Sequence, residues 1–134
     1  MDKIIILIPT ILSSLFSNRF SISDEYYNSL PQSDLTPPDE TFSIVWPILY
    51  LLIGYALYKN PTNWLWLNLL LNLTWIVTFH GYKNPQVSFF VLLLTIMTLV
   101  LHMKSKSTKT LLLLPYLIWL IFAAYLNGYI AFSL

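Results

Sequence analysis

No cysteine occurs anywhere in the chain. That excludes disulfides, thiolate nucleophiles and cysteine-based metal sites, and leaves the redox compartment open. Charge is scarce as well: Asp, Glu, Lys and Arg make up 10% of 134 residues, against about 25% in a soluble domain of ordinary composition. The formal net charge is +1, so nothing points to nucleic acid as a partner. The middles of the apolar runs after residue 38 contain no ionisable Asp, Glu, Lys or Arg. Ion-coupled carriers and voltage sensors need such groups inside the membrane, so neither class fits. Also missing are a Ser–His–Asp set, a Gly-rich phosphate loop and any cluster with metal-ligand spacing. His80 and His102 fall near the ends of apolar runs with no carboxylate nearby, and read as interfacial side chains rather than metal ligands.

What the chain does have is apolar and aromatic surface, 57% and 16% of its residues respectively. A chain so composed cannot cover a globule with polar side chains, and the bilayer is its expected solvent. No soluble domain, low-complexity tract or repeat interrupts it. The expectation is a single all-α integral membrane domain, residues 1–134, with apolar segments at about 3–20, 39–58, 64–82, 86–103 and 111–132. The first is short for a span. Its lone Lys3, apolar run and Ser-rich exit fit a signal peptide as well as a retained helix, and the residues alone leave both open. Pro9 does not forbid spanning. The polar stretch Ser21–Leu35, carrying Asp24, Glu25 and Asp34, reads as a long loop between the first two helices, either a lid over one end of the bundle or a solvated linker.

The stretch Thr36–Tyr58 opens as a helix start, with Thr36 as cap, Pro37 and Pro38 in the first turn, and Asp39 and Glu40 against the positive end of the dipole. About eighteen uncharged residues follow, enough to cross a bilayer core. Phe42, Trp46, Tyr50, Gly54 and Tyr58 recur every fourth residue, so they form an aromatic stripe with a notch at Gly54. For any one of these rings, helix packing or interfacial anchoring explains as much. As a stripe beside a capped, acidic start they read as the wall of a pocket. In the third segment Trp64, Asn68, Asn72, Trp75 and Phe79 share a face. Two amides one turn apart must meet protein, water or ligand, most often as interhelical hydrogen bonds. The fourth segment is the plainest and is expected to face lipid. The fifth places Tyr116, Trp119, Ala123 and Asn127 on one face, and Ala124 with Gly128 on another, a small-residue pair that permits close helix approach and leaves a homodimer open. The second, third and fifth segments would then enclose an aromatic cavity for a large, flat, apolar ligand whose few polar groups meet Asn72, Asn127 or Tyr50. If all five segments span, Lys3, Lys59, Lys104, Lys106 and Lys109 lie on one side, Arg19 and Lys83 on the other. The positive-inside rule then puts the N-terminus inside and the long loop and C-terminus outside.

At these residues the sequence resembles the TspO/MBR family of translocator and tryptophan-rich sensory proteins, over roughly Tyr27 to Ile130. The family's first-loop and second-helix signature is met at Tyr27, Leu30, Thr36, Pro37, Pro38, Phe42, Val45, Trp46, Leu49 and Tyr50. Its third-helix pattern is met at Asn72, Trp75 and Phe79, with Asn68 in place of a Gln. Its fifth-helix pattern is met in full at Pro115, Tyr116, Trp119, Phe122, Ala123, Leu126 and Asn127.

The resemblance implies a bundle of five transmembrane helices, so that the first segment is a retained helix, in a bacterial cell-envelope or mitochondrial outer membrane. It implies a binder of tetrapyrroles such as protoporphyrin IX and haem, acting as sensor or translocator, with no cofactor required. Carried over to this chain, the ligand-binding positions are Tyr26, Phe42, Trp46, Tyr50, Asn72, Trp75, Trp119, Ala123 and Leu126. Some bacterial members degrade porphyrin in light, which would engage Trp46 and Trp119; whether this chain is an enzyme stays open. The departures are specific. Tyr26 and Leu35 replace first-loop tryptophans, Gln32–Ser33 replaces Lys-Pro, and His80 replaces a Phe. No Lys or Arg follows Tyr129, where the family's sterol motif needs one. Two readings from other classes are a small permease for an uncharged substrate and a structural subunit of a membrane complex.

Overall fold

The computed structural model describes residues 3–19, 29–31, 33–37, 39–106 and 111–133, and all the regular structure in them is helical. A 3-10 turn, Lys3–Leu7, leads into α1 (Ile8–Arg19). Pro9 is the second residue of α1, at the junction where the 3-10 turn passes into the α-helix. α2 spans Asp39–Lys59 with Pro47 inside it. It starts after the proline pair rather than at Thr36, whose amide instead donates to the Ser33 carbonyl at 3.0 Å in a turn.

α3 (Asn63–Ile76) is capped by Thr62, whose hydroxyl accepts from the Leu65 amide at 3.1 Å. It runs on into a π-turn, Val77–Gly81, closed by the Tyr82 amide donating to the Val77 carbonyl at 2.8 Å. Lys83, at φ 52°, takes the left-handed conformation that ends helices. Asn84 then caps α4 (Pro85–Lys106) through the Val87 amide at 3.2 Å, and Pro85 takes the first helical position. A short turn over 111–113 leads into α5 (Leu114–Ser133).

α4 packs between α3 and α5, while α2 packs on α1, on the 3-10 turn and on α3. The apolar core joins Ile53 and Leu57 of α2, Leu65 and Leu69 of α3, Leu92 and Leu99 of α4, and Tyr116 and Leu120 of α5. By length and apolar composition Pro85–Ser105 and Leu111–Ser133 suffice to cross a membrane, and Lys3–Asn18 and Ile44–Lys59 are shorter apolar helices.

Several expectations are corrected. α4 is not a plain lipid-facing helix. Val87, Phe90, Leu93, Leu94 and Met97 look outward, whereas Ser88, Leu92, Thr95, Leu99 and His102 line a buried stripe. Nor are the histidines interfacial. His102 is fully buried, its Nδ1 2.7 Å from the Thr62 hydroxyl, and His80 is buried in the π-turn against the Trp75 and Phe79 rings. The Ala124–Gly128 pair is used within the chain: a Cβ on Gly128 would lie 2.9 Å from the Phe89 ring of α4. The notch at Gly54 does not open to a ligand either. The backbone of Ile6 crosses α2 there, and a Cβ on Gly54 would lie 2.7 Å from the Ile6 carbonyl carbon and overlap its oxygen.

Candidate ligand-binding site

Spacing on α2 sets Phe42, Trp46 and Tyr50 one turn apart, and the fold brings Trp119 of α5 against them. Trp46 stacks on Tyr50, with centroids 5.4 Å apart and planes at 29°. Trp119 meets Trp46 edge-to-face at 6.3 Å and 88°, and Phe42 at 5.7 Å and 70°. Phe122 adds a further edge contact to Trp119 at 5.7 Å. These T-shaped arrangements match the ring quadrupoles. Among the described residues, Trp119 Nε1 is buried without a hydrogen-bond partner. Ala123 and Leu126 follow Trp119 up α5, the first half-buried and the second buried. Beside the cluster, an open groove of ≈ 490 Å³ runs between α2 and α5, lined by Val45, Ile48 and Leu49 on one side and by Pro115, Ile118, Trp119 and Phe122 on the other.

The polar residues expected to meet a ligand have partners inside the chain. Tyr50 OH donates to Asn72 Oδ1 at 2.7 Å, and Asn72 Nδ2 donates to Tyr116 OH at 2.9 Å. Tyr116 OH donates to Asn68 Oδ1 at 2.8 Å, and Asn68 Nδ2 donates to the Thr95 carbonyl at 2.7 Å and to the Thr98 hydroxyl at 3.3 Å. The relay has one direction. A backbone carbonyl can only accept, so the Asn68 amide must turn its nitrogen to Thr95, and each earlier group is then fixed in turn. It ties α2, α3, α5 and α4 together through side chains that are all buried.

Tyr116 sits at the centre of this relay, and its part was not visible in the sequence. The nearest signal was the pair Thr95 and Thr98 inside an apolar run facing two amides. Tyr116→Phe removes two hydrogen bonds and strands Asn68 Oδ1 and Asn72 Nδ2 in the core. It is expected to cost about 1–3 kcal/mol, more than Tyr50→Phe, which removes one bond. Thermal unfolding in detergent measures both, and an unshifted midpoint for Tyr116→Phe would show that the relay contributes nothing.

Trp75 does not join the α2–α5 cluster through any ring contact among the described residues. It stacks on Phe79 at 4.9 Å and 18°, and its Nε1 donates to Asn127 Oδ1 at 2.9 Å. Asn127 also accepts from the Ser88 hydroxyl at 3.1 Å and donates to the Pro85 carbonyl at 3.0 Å, so it fastens α5 to the start of α4. Tyr26 and Tyr27 lie outside the described residues. The loop's described end is fixed by a contact that sequence reasoning missed, the Ser33 hydroxyl 2.6 Å from the Tyr125 hydroxyl on α5. No group of His, Asp and Glu able to hold a metal occurs among the described residues. The arrangement can hold a flat apolar ring by stacking and edge contacts, and can offer one indole N–H.

The chain is 30% identical to the tryptophan-rich protein TspO of Archaeoglobus fulgidus, over 93% of this chain and 92% of that protein. It is 33% identical to the protein of the same name in Chlorobaculum tepidum, over 76% and 75%. To the translocator protein homolog of Schizosaccharomyces pombe it is 28% identical, over 92% and 86%. The sequence pattern of the TspO/MBR family matches residues 4–132. With that match across nearly its whole length, the chain belongs to the TspO/MBR family of membrane proteins.

Proposed function

We propose that this protein is a single five-span membrane domain that binds flat, hydrophobic ligands of the tetrapyrrole type, protoporphyrin IX or haem, and acts as a sensor or translocator for them. The observation that carries this reading is the gathering of Phe42, Trp46, Tyr50 and Trp119 at one junction of α2 and α5. Ring faces and edges there offer stacking surface that core packing with Leu and Ile would not need. The indole N–H of Trp119, without a partner among the described residues, gains one when a ligand brings a hydrogen-bond acceptor. Ala123 and Leu126 extend the apolar wall, and Tyr26, outside the described residues, enters this reading from the family resemblance alone. Asn72 acts through Tyr50, which it holds in place, and Trp75 steadies the α3–α5 end. Sterol binding has weaker support, because no base follows Tyr129. Porphyrin turnover at Trp46 and Trp119 is a further activity to assay.

The test is titration of the protein in lipid nanodiscs with protoporphyrin IX, haem and a sterol, following tryptophan fluorescence. Saturable quenching by the porphyrins is expected. A linear, unsaturable response would overturn the reading and favour a structural role.

The proposed orientation places the N-terminus inside and the 21–35 loop with the C-terminus outside. In intact cells a cysteine at Asp34 is then expected to react with an impermeant maleimide, and one at Ser105 is not. The native chain has no cysteine to confuse the result. The opposite labelling pattern would invert the topology.

A further inference from the structure

The seam between α2 and α5 is thin. α2 is held chiefly by α1, the 3-10 turn and α3, and α5 by α4. Across the seam itself the ring contacts are edges, Phe42 and Trp46 against Trp119. On its outer side lies the open groove of ≈ 490 Å³, with Ile48 and Ile118, 54% and 61% exposed, among its lining. Trp119 is shared. It lines the groove and also touches Trp46, so its indole joins the outer groove to the aromatic cluster.

The groove's lining contains no charged, amide or hydroxyl side chain. Such a surface cannot orient a lipid headgroup or a sterol hydroxyl. It suits rings or hydrocarbon in passage. Among the described residues the Trp119 N–H has no hydrogen bond to break, so swinging the indole forfeits ring-edge contacts and part of its packing on the core but no hydrogen bond. A large flat apolar ligand is concentrated in the bilayer rather than in water, and a side entrance from lipid spares it an aqueous step.

We propose that the α2–α5 seam is a lateral portal through which a bilayer-dissolved, flat apolar ligand reaches the aromatic cluster, with Trp119 as its gate. The inference rests on the binding reading above.

The test uses a variant with Ile48→Cys and Ile118→Cys, bridged in detergent by a reducible bis-maleimide and then reconstituted into nanodiscs. Protoporphyrin IX is mixed by stopped flow and tryptophan quenching is followed. The bridged protein is expected to bind and release porphyrin about tenfold more slowly, with the dissociation constant changed by no more than about twofold. Cleaving the linker in the same sample should restore both rates, which excludes a folding defect. Ile48→Trp, which fills the groove without chemistry, should slow both rates in the same sense. Unchanged rates in the bridged protein would overturn the portal. So would an affinity loss that persists after cleavage, because it would place these positions in the binding site itself. Failure of the binding reading shows separately, as an unquenched wild-type protein at equilibrium, and removes the portal with it.

Discussion

Gly54→Val is expected to be the most damaging single substitution away from the ligand cluster, costing about 3 kcal/mol or more. The side chain would be driven into the carbonyl group of Ile6. Backbone cannot rotate away as a side chain can, so the 3-10 turn and α1 would have to lift off α2. Their packing on α2 buries Ile5, Ile8 and Leu12 against the core, and that apolar burial would be lost with the displacement. Gly128→Ala makes the informative contrast. Its Cβ would meet the Phe89 ring at 2.9 Å, and a ring can turn aside, so the cost falls to about 1 kcal/mol. Thermal unfolding in detergent compares the two. Replacing Ile6 with Ala in the Gly54→Val background should not rescue stability, because the clash is with main chain. Equal midpoints for Gly54→Val and wild type would mean that the N-terminal turn does not cross α2 at this point.

The second large effect is on binding. Trp46→Ala and Trp119→Ala are each expected to weaken porphyrin binding by about one to two decades, or about 1–3 kcal/mol. Trp46 carries the stack on Tyr50, and Trp119 carries edge contacts to Phe42, Trp46 and Phe122. Trp64→Ala should change affinity little. Trp64 is 42% exposed near the start of α3, and no ring contact ties it to the cluster among the described residues. Absorbance titration of the porphyrin itself avoids depending on the tryptophans being replaced. Equal affinities for all three variants would remove the site from α2 and α5.

Much of this arrangement can be read from spacing. The four-residue recurrence of Phe42, Trp46 and Tyr50 does put those rings on one face, and Trp119 does lie opposite them. The amides Asn68 and Asn72 do turn inward, as the cost of exposing them to lipid requires. Periodicity says which residues share a face, however, and not what covers it. Gly54 belongs to the same stripe as Trp46, yet its neighbour is the Ile6 backbone, a contact set by how the chain enters α1. Trp75 shares a face with Asn72, yet its N–H is drawn to Asn127 because α5 passes that end of α3.

α4 departs from its sequence expectation for a related reason. Its Ser88, Thr95 and Thr98 look like incidental hydroxyls in an apolar run, because such hydroxyls can bond back to their own helix, as all three do. Only the packing of α3 against α4 reveals that the Thr95 carbonyl anchors the whole relay from Tyr50. The early start assigned to α2 follows from reading Thr36 as a cap, when its amide closes a turn with Ser33.

The most direct test of the central claim is an NMR spectrum of protein labelled with ¹⁵N in its indoles, reconstituted in nanodiscs and titrated with protoporphyrin IX. The chain has five tryptophans, so each N–H can be assigned by single substitution. A porphyrin lying between α2 and α5 would shift the Trp46 and Trp119 resonances strongly by its ring current. Trp119 would move further downfield if its N–H gains an acceptor, while Trp64 and Trp66 would stay in place. Shifts confined to Trp64 and Trp66, or none at saturating porphyrin, would contradict a tetrapyrrole site at the α2–α5 junction.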